Sequence, residues 1–187
     1  MNLSWAVFAT LSLSYMASFS LMTGFIAPLQ KIVAPDVSIL SSLLFLPHGV
    51  RVLAFYFYGW RGFVYLTPPA VSMWALAVYG SDVPLHFAGT AVSLIATYFG
   101  VRIVRAIYAE PVQSVGLFSW RHLMLAGLIA SVGNSYGLAV LHQSQMTLPL
   151  ILSYIIGDVS GQMAMMLLLI AVFRGAERLV QATAGKG

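Results

Sequence analysis

Cysteine is absent from the 187-residue chain. Disulfides, thiolate metal sites and cysteine nucleophiles are therefore excluded together. Charge is scarce as well, with 7% charged residues against 60% hydrophobic ones and a mean hydropathy of +0.90. A soluble domain needs a polar shell in which about a quarter of the residues are charged. The surrounding solvent is accordingly lipid. Basic runs are missing too: the net charge of +4 rests on nine scattered Lys and Arg, a pattern of membrane orientation and not of nucleic-acid binding. No phosphate-cradling loop, HExxH or nucleophile elbow occurs. These gaps weigh against an enzyme.

What remains is long apolar stretches. Spanning helices need about 20 such residues, and the polar punctuation separates about six of them: Ser4 to Ala27, Ile39 to Tyr58, Phe63 to Tyr79, Val83 to Val104, His122 to Leu141 and Leu148 to Phe173. The breaks carry Lys31, Pro35 and Asp36, then Trp60 and Arg61, then Gly80, Ser81 and Asp82, then AEPVQSVGLFSW and HQSQMT. The expected fold is all-α, a polytopic integral membrane bundle forming one domain over residues 1–187. The first stretch lacks a basic n-region and is longer than a signal-peptide core, so it reads as a retained helix. Arg61, Arg102, Arg105, Arg121, Arg174, Arg178 and Lys186 fall beside alternate loops, which places both termini in the cytoplasm; Lys31 dissents. Residues 174–187 form a short cytoplasmic tail.

Within the apolar stretches, polar residues stand out. GNSYG (Gly133 to Gly137) and GDVSG (Gly157 to Gly161) each hold two glycines four apart, on one helix face where another backbone approaches closely. Ala126 and Ala130 extend the first of these small-residue rows. Asp158 needs more than packing, because an ionised carboxylate at the bilayer centre costs about 2.5 to 3.5 kcal/mol. Arg51 lies ten residues before Arg61, about half a bilayer above the inner surface at ~1.5 Å per residue. Arg51 and Asp158 thus arrive at similar depth and are expected to pair, with His48, Asn134 and Gln162 close enough to join them. The pair either pins helices together or forms a ligand or ion site; both readings stand at this point.

Pro47 and Gly49 flank His48 in LFLPHGVRVLAFYFYGWRG, which removes a backbone donor and loosens the second helix. The segment is either a broken helix facing a cavity, or a kink or a helix that begins at Pro47. His48 reads as a hydrogen-bonded core residue, since His86, His122 and His142 belong near the surfaces and no metal set converges. Phe55, Tyr56, Phe57, Tyr58, Trp60, Phe63 and Tyr65 cluster near Arg61 as an expected interfacial belt. Pro68 and Pro69 kink the third span or free its carbonyls. The methionines, Met163, Met165 and Met166 among them, are adaptable packing material.

LPHGVRVLAFYFYGWRG and YIIGDVSGQMAMMLLL resemble the first class of bacterial membrane-associated sensor domains, multi-helix modules fused ahead of histidine kinases or cyclic-diguanylate enzymes. Pro47, Gly49, Asp158 and Gly161 carry the resemblance. It implies a bundle in the bacterial cytoplasmic membrane that receives a signal from a ligand or a neighbouring membrane protein. The chain departs from that pattern in showing no output domain after Phe173. The expected function is therefore a non-enzymatic sensor-like or interaction module, with another membrane protein or a second copy as partner and a small molecule as candidate ligand. A solute-binding transporter subunit and a structural subunit of a larger complex are the alternatives. The sequence assigns no cofactor.

Overall fold

The computed structural model describes residues 4–34, 42–81, 87–108, 120–141 and 147–184. Among them lie six helices and no strand: α1 (Trp5–Val33), α2 (Leu46–Tyr58), α3 (Arg61–Ser81), α4 (Phe87–Ile107), α5 (Trp120–Leu141) and α6 (Leu148–Ala184). All but α2 are long and apolar enough to cross a membrane. Pro35, Asp36, Asp82, His86, His142 and Lys186 lie outside the described residues, as do most of the loops read from the sequence.

Proline chemistry explains two local features. In α1, Pro28 has no N–H for the Gly24 carbonyl, and the preceding turn widens into a π-turn over Met22–Ile26, where the Ala27 N–H reaches back to the Met22 carbonyl. In α3, Pro68 and Pro69 sit inside the helix. Pro69 leaves the Tyr65 carbonyl without its usual i+4 donor. The Ser12 hydroxyl of α1 donates to it instead at 3.4 Å.

The second span differs from the expected one. Apolar sequence runs from Ile39, yet the helix begins only at Leu46 with Pro47 in its first turn and is 13 residues long. Proline is pre-set for that position and disfavours helical backbone in the residue before it. Gly59, at φ 54°, ends α2 and turns the chain into α3.

Short as it is, α2 touches each of the other five helices. Its burial follows: from Leu46 to Tyr56 every residue is buried except Leu53, which is half-buried. The aromatic cluster belongs to this core more than to a belt. Phe55, Tyr56 and Tyr65 are buried, and Phe55, Phe63 and Tyr98 form edge-on and tilted pairs with centroids 4.8 to 5.8 Å apart. Trp60 is exposed. At the other end of the chain, α6 continues as one helix of 37 residues, about 55 Å long. Arg174 and Arg178 are thus exposed on a helical extension of the last span.

Candidate functional site

The centre of the bundle is built on an unwound approach to α2. Over residues 42–45 the backbone is not helical, so its donors and acceptors must find partners elsewhere. Some partners are local, the Ser42 hydroxyl for both backbone groups of Leu44 and the His48 N–H for the Phe45 carbonyl; the others lie on α6 and α1. The Phe45 N–H donates to the Gly157 carbonyl at 2.8 Å, the Ser160 hydroxyl donates to the Leu43 carbonyl, and the Leu43 N–H donates to Oε1 of Gln30 at 2.7 Å.

Gly157 and Gly161 make this contact sterically feasible. A Cβ on Gly157 would lie 1.8 Å from the Ser42 carbonyl oxygen, and one on Gly161 would lie 2.2 Å from the Phe45 carbonyl carbon. The backbone they admit is therefore an unwound segment and not a second helix. Gly49 likewise rests on Met165 and on the Gln162 backbone.

Phe45 connects this backbone seat to the charged residues. Its ring lies beneath the Arg51 guanidinium, 5.2 Å from centroid to Cζ. Arg51 Nη1 donates to Ser93 Oγ of α4. Ser93 Oγ donates to Asn134 Oδ1 of α5 at 2.9 Å, and Asn134 Nδ2 donates to Asp158 Oδ2 of α6 at 3.1 Å. Asp158 Oδ1 closes the ring at 3.9 Å from Arg51 Nη2. That distance is an ion-pair contact without a hydrogen bond. Both side chains are 3% exposed.

His48 meets the ring from one side. Its Nε2 lies 3.1 Å from the Gly127 carbonyl, which only accepts, so Nε2 carries the hydrogen. Its Nδ1 lies 3.5 Å from Asp158 Oδ2. Gln162 Nε2 donates to the Leu123 carbonyl at 2.7 Å, and Gly127 leaves it room: a Cβ there would fall 1.5 Å from Gln162 Oε1.

The structure thus joins Arg51, Asp158, His48 and Asn134 in one buried cluster, with Gln162 buried at its edge and bonded to the Leu123 carbonyl but to none of the four. Ser93, Gly127 and Phe45 belong to it as well; none announced itself in the sequence, since a serine, a glycine and a phenylalanine are ordinary in an apolar span. Four buried atoms of the cluster have no hydrogen-bond partner among the described residues: Arg51 Nε and Nη2, His48 Nδ1 and Gln162 Oε1.

The small residues of α5 divide. Ala126 and Ala130 face Gly100 of α4, where an added Cβ would lie 2.8 Å from the Ala126 carbonyl oxygen and 2.7 Å from the Ala130 nitrogen. Gly137 packs against the Val92 side chain, whereas Gly133 is exposed and its nearest neighbour would be Ala96 Cβ at 3.5 Å. At the far end of α2, Arg105 Nη2 donates to the Tyr56 carbonyl and its guanidinium lies 4.7 Å from the Tyr56 ring centroid, a cation at the negative end of that helix. His122 stacks on Tyr108 with centroids 3.9 Å apart. No group of three metal-ligating side chains occurs among the described residues.

Comparison with known proteins adds no relative. No protein-family model matches the chain, and no curated protein and no solved structure matches it.

Proposed function

We propose that this chain is a non-enzymatic multi-pass module of the bacterial cytoplasmic membrane, sensor-like or interactive in role, that binds a partner membrane protein and uses its intramembrane centre at Arg51 and Asp158 for that contact, with a small molecule as a candidate second ligand. The observation that carries the reading is the unspent hydrogen-bonding capacity of that centre. The Nε and Nη2 edge of Arg51, which is the fork that reads carboxylates and phosphates, is buried beside an unwound segment and lacks a hydrogen-bond partner among the described residues. A pair serving only to pin helices gains most when every donor is satisfied. Non-helical backbone at membrane depth is tolerated where it is buried in protein or lines a cavity, and in several transporter folds it forms the binding site.

Orientation belongs to the same proposal. With alternating helices, Arg61, Arg102, Arg121 and, on the extension of α6, Arg174 and Arg178 fall on one side, and the preference of basic residues for the cytoplasm would put both termini there. In this arrangement α2 is the inner part of the second crossing.

The test is gentle extraction from the native membrane followed by mass spectrometry of all that travels with the protein. A stoichiometric membrane partner, lost in R51Q or D158N, supports the reading. A lone protein carrying a bound solute moves the assignment to a transporter subunit, and a lone empty protein overturns it.

A further inference from the structure

The facing atoms of His48 and Asp158 present an electrostatic mismatch. Because His48 Nε2 carries a hydrogen toward the Gly127 carbonyl, neutral His48 points a lone pair from Nδ1 at Asp158 Oδ2, 3.5 Å away. Oδ2 already accepts from Asn134 Nδ2, and as a carboxylate oxygen it has no hydrogen to return. Two acceptors thus confront each other in a site where both residues are at most 2% exposed. One proton converts the contact into a donor–acceptor pair, whether it resides on nitrogen or oxygen.

We infer that His48 and Asp158 form a proton-binding site within the membrane, taking up one proton from solvent and sharing it between His48 Nδ1 and Asp158 Oδ2. The surrounding groups make the two states electrically distinct. Arg51 faces the pair from α2, while Tyr15 from α1 and Tyr154 from α6 lie within electrostatic reach of Asp158. The side chains that α4 and α5 bring to the ring, Ser93 and Asn134, are neutral. Without the proton, Asp158 is the countercharge of Arg51. With it, either the carboxyl is neutral or its charge is divided between Arg51 and a histidinium. Proton uptake therefore loosens the hold of Asp158 on the Arg51 fork. This gives the proposed module its ligand class, a proton that governs a second ligand or partner, and it rests on the reading of the Arg51–Asp158 centre as functional.

The full chain in lipid nanodiscs tests it through ¹⁵N-histidine NMR and carboxyl infrared spectra taken from about pH 4 to about pH 9, a span that brackets the ordinary histidine range. H48Q assigns the ring signals and D158N the carboxyl band. The expected result is one coupled transition: the His48 ring signal or the Asp158 carboxylic-acid band changes with pH, and removing either residue displaces the midpoint of the other. A His48 ring fixed in one neutral tautomer over the whole range, with no acid-induced band that depends on Asp158, overturns the inference. A His48 midpoint unmoved by D158N, or an Asp158 midpoint unmoved by H48Q, also overturns it; the second comparison serves if D158N does not fold. Mass spectrometry on the same preparations separates the two claims. A partner or solute that R51Q releases while the spectra stay flat leaves the site functional and removes only the proton.

Discussion

Replacing Arg51 by Gln leaves Asp158 buried with only Asn134 as a hydrogen-bond donor, and replacing Asp158 by Asn leaves the Arg51 charge without its counterion. Each single substitution is expected to lower stability, since removing one member of a buried pair strands the other. The double variant R51Q/D158N is expected to recover part of the loss. Measured intramembrane couplings are small, so the interaction energy should fall at about 0.6 to 1.7 kcal/mol; a double-mutant cycle in detergent unfolding checks it. At this scale the sequence was partly legible. Counting residues from Arg61 put Arg51 at the depth of Asp158, and the two come within 3.9 Å. Ser93 was not legible, because its hydroxyl matters only through the orientation of Arg51 and Asn134 across three helices.

At the scale of elements, the glycines of α6 separate steric need from local propensity. G157A and G161A push a methyl group into fixed backbone of residues 42–45 and are expected to cost ~1 to 3 kcal/mol or more, as overpacking does. G175A lies on the exposed extension of the same helix with nothing within 4 Å, and is expected to stabilise by up to ~1 kcal/mol through helix propensity. Thermal unfolding of the three variants in detergent reads the contrast directly, and equal effects would count against the seat on α6. Long elements were legible from apolar length alone. The unwound approach was harder, for residues 39–46 are as apolar as a helix and only Pro47 marked the start of α2. Segment 42–45 is held out of the helix partly by the Ser42 hydroxyl on Leu44 and partly by hydrogen bonds to α6, more than 110 positions away, and no local pattern records a contact so distant in sequence.

Over the whole molecule, charge asymmetry and span number make a topological prediction. Reporter domains fused at the N-terminus, after Gly59 and after Arg178 are all expected to report cytoplasm, and one fused between α3 and α4 the opposite side. If the first and last reporters disagree, the chain crosses an odd number of times and α2 with its approach is a re-entrant loop. Apolar composition set the class of fold plainly. It did not show that the shortest helix is the hub of the bundle, because centrality follows from the packing of all five neighbours around it.

That seat of α2 on the last helix also dictates an order of biogenesis. As the chain emerges from the ribosome, residues 42–58 enter the membrane long before Gly157, Asp158 and Ser160 have been synthesised. During that interval Arg51 has no countercharge and the Leu43 and Phe45 backbone groups lack the α6 partners that later satisfy them. The amino-terminal helices must therefore wait, shielded by translocon, lipid headgroups or water, until α6 arrives to close the assembly. A chain ending before Leu148 is expected to be degraded by membrane quality control, and the same fragment co-expressed with a separate α6 to be rescued, as pulse-chase lifetimes would show.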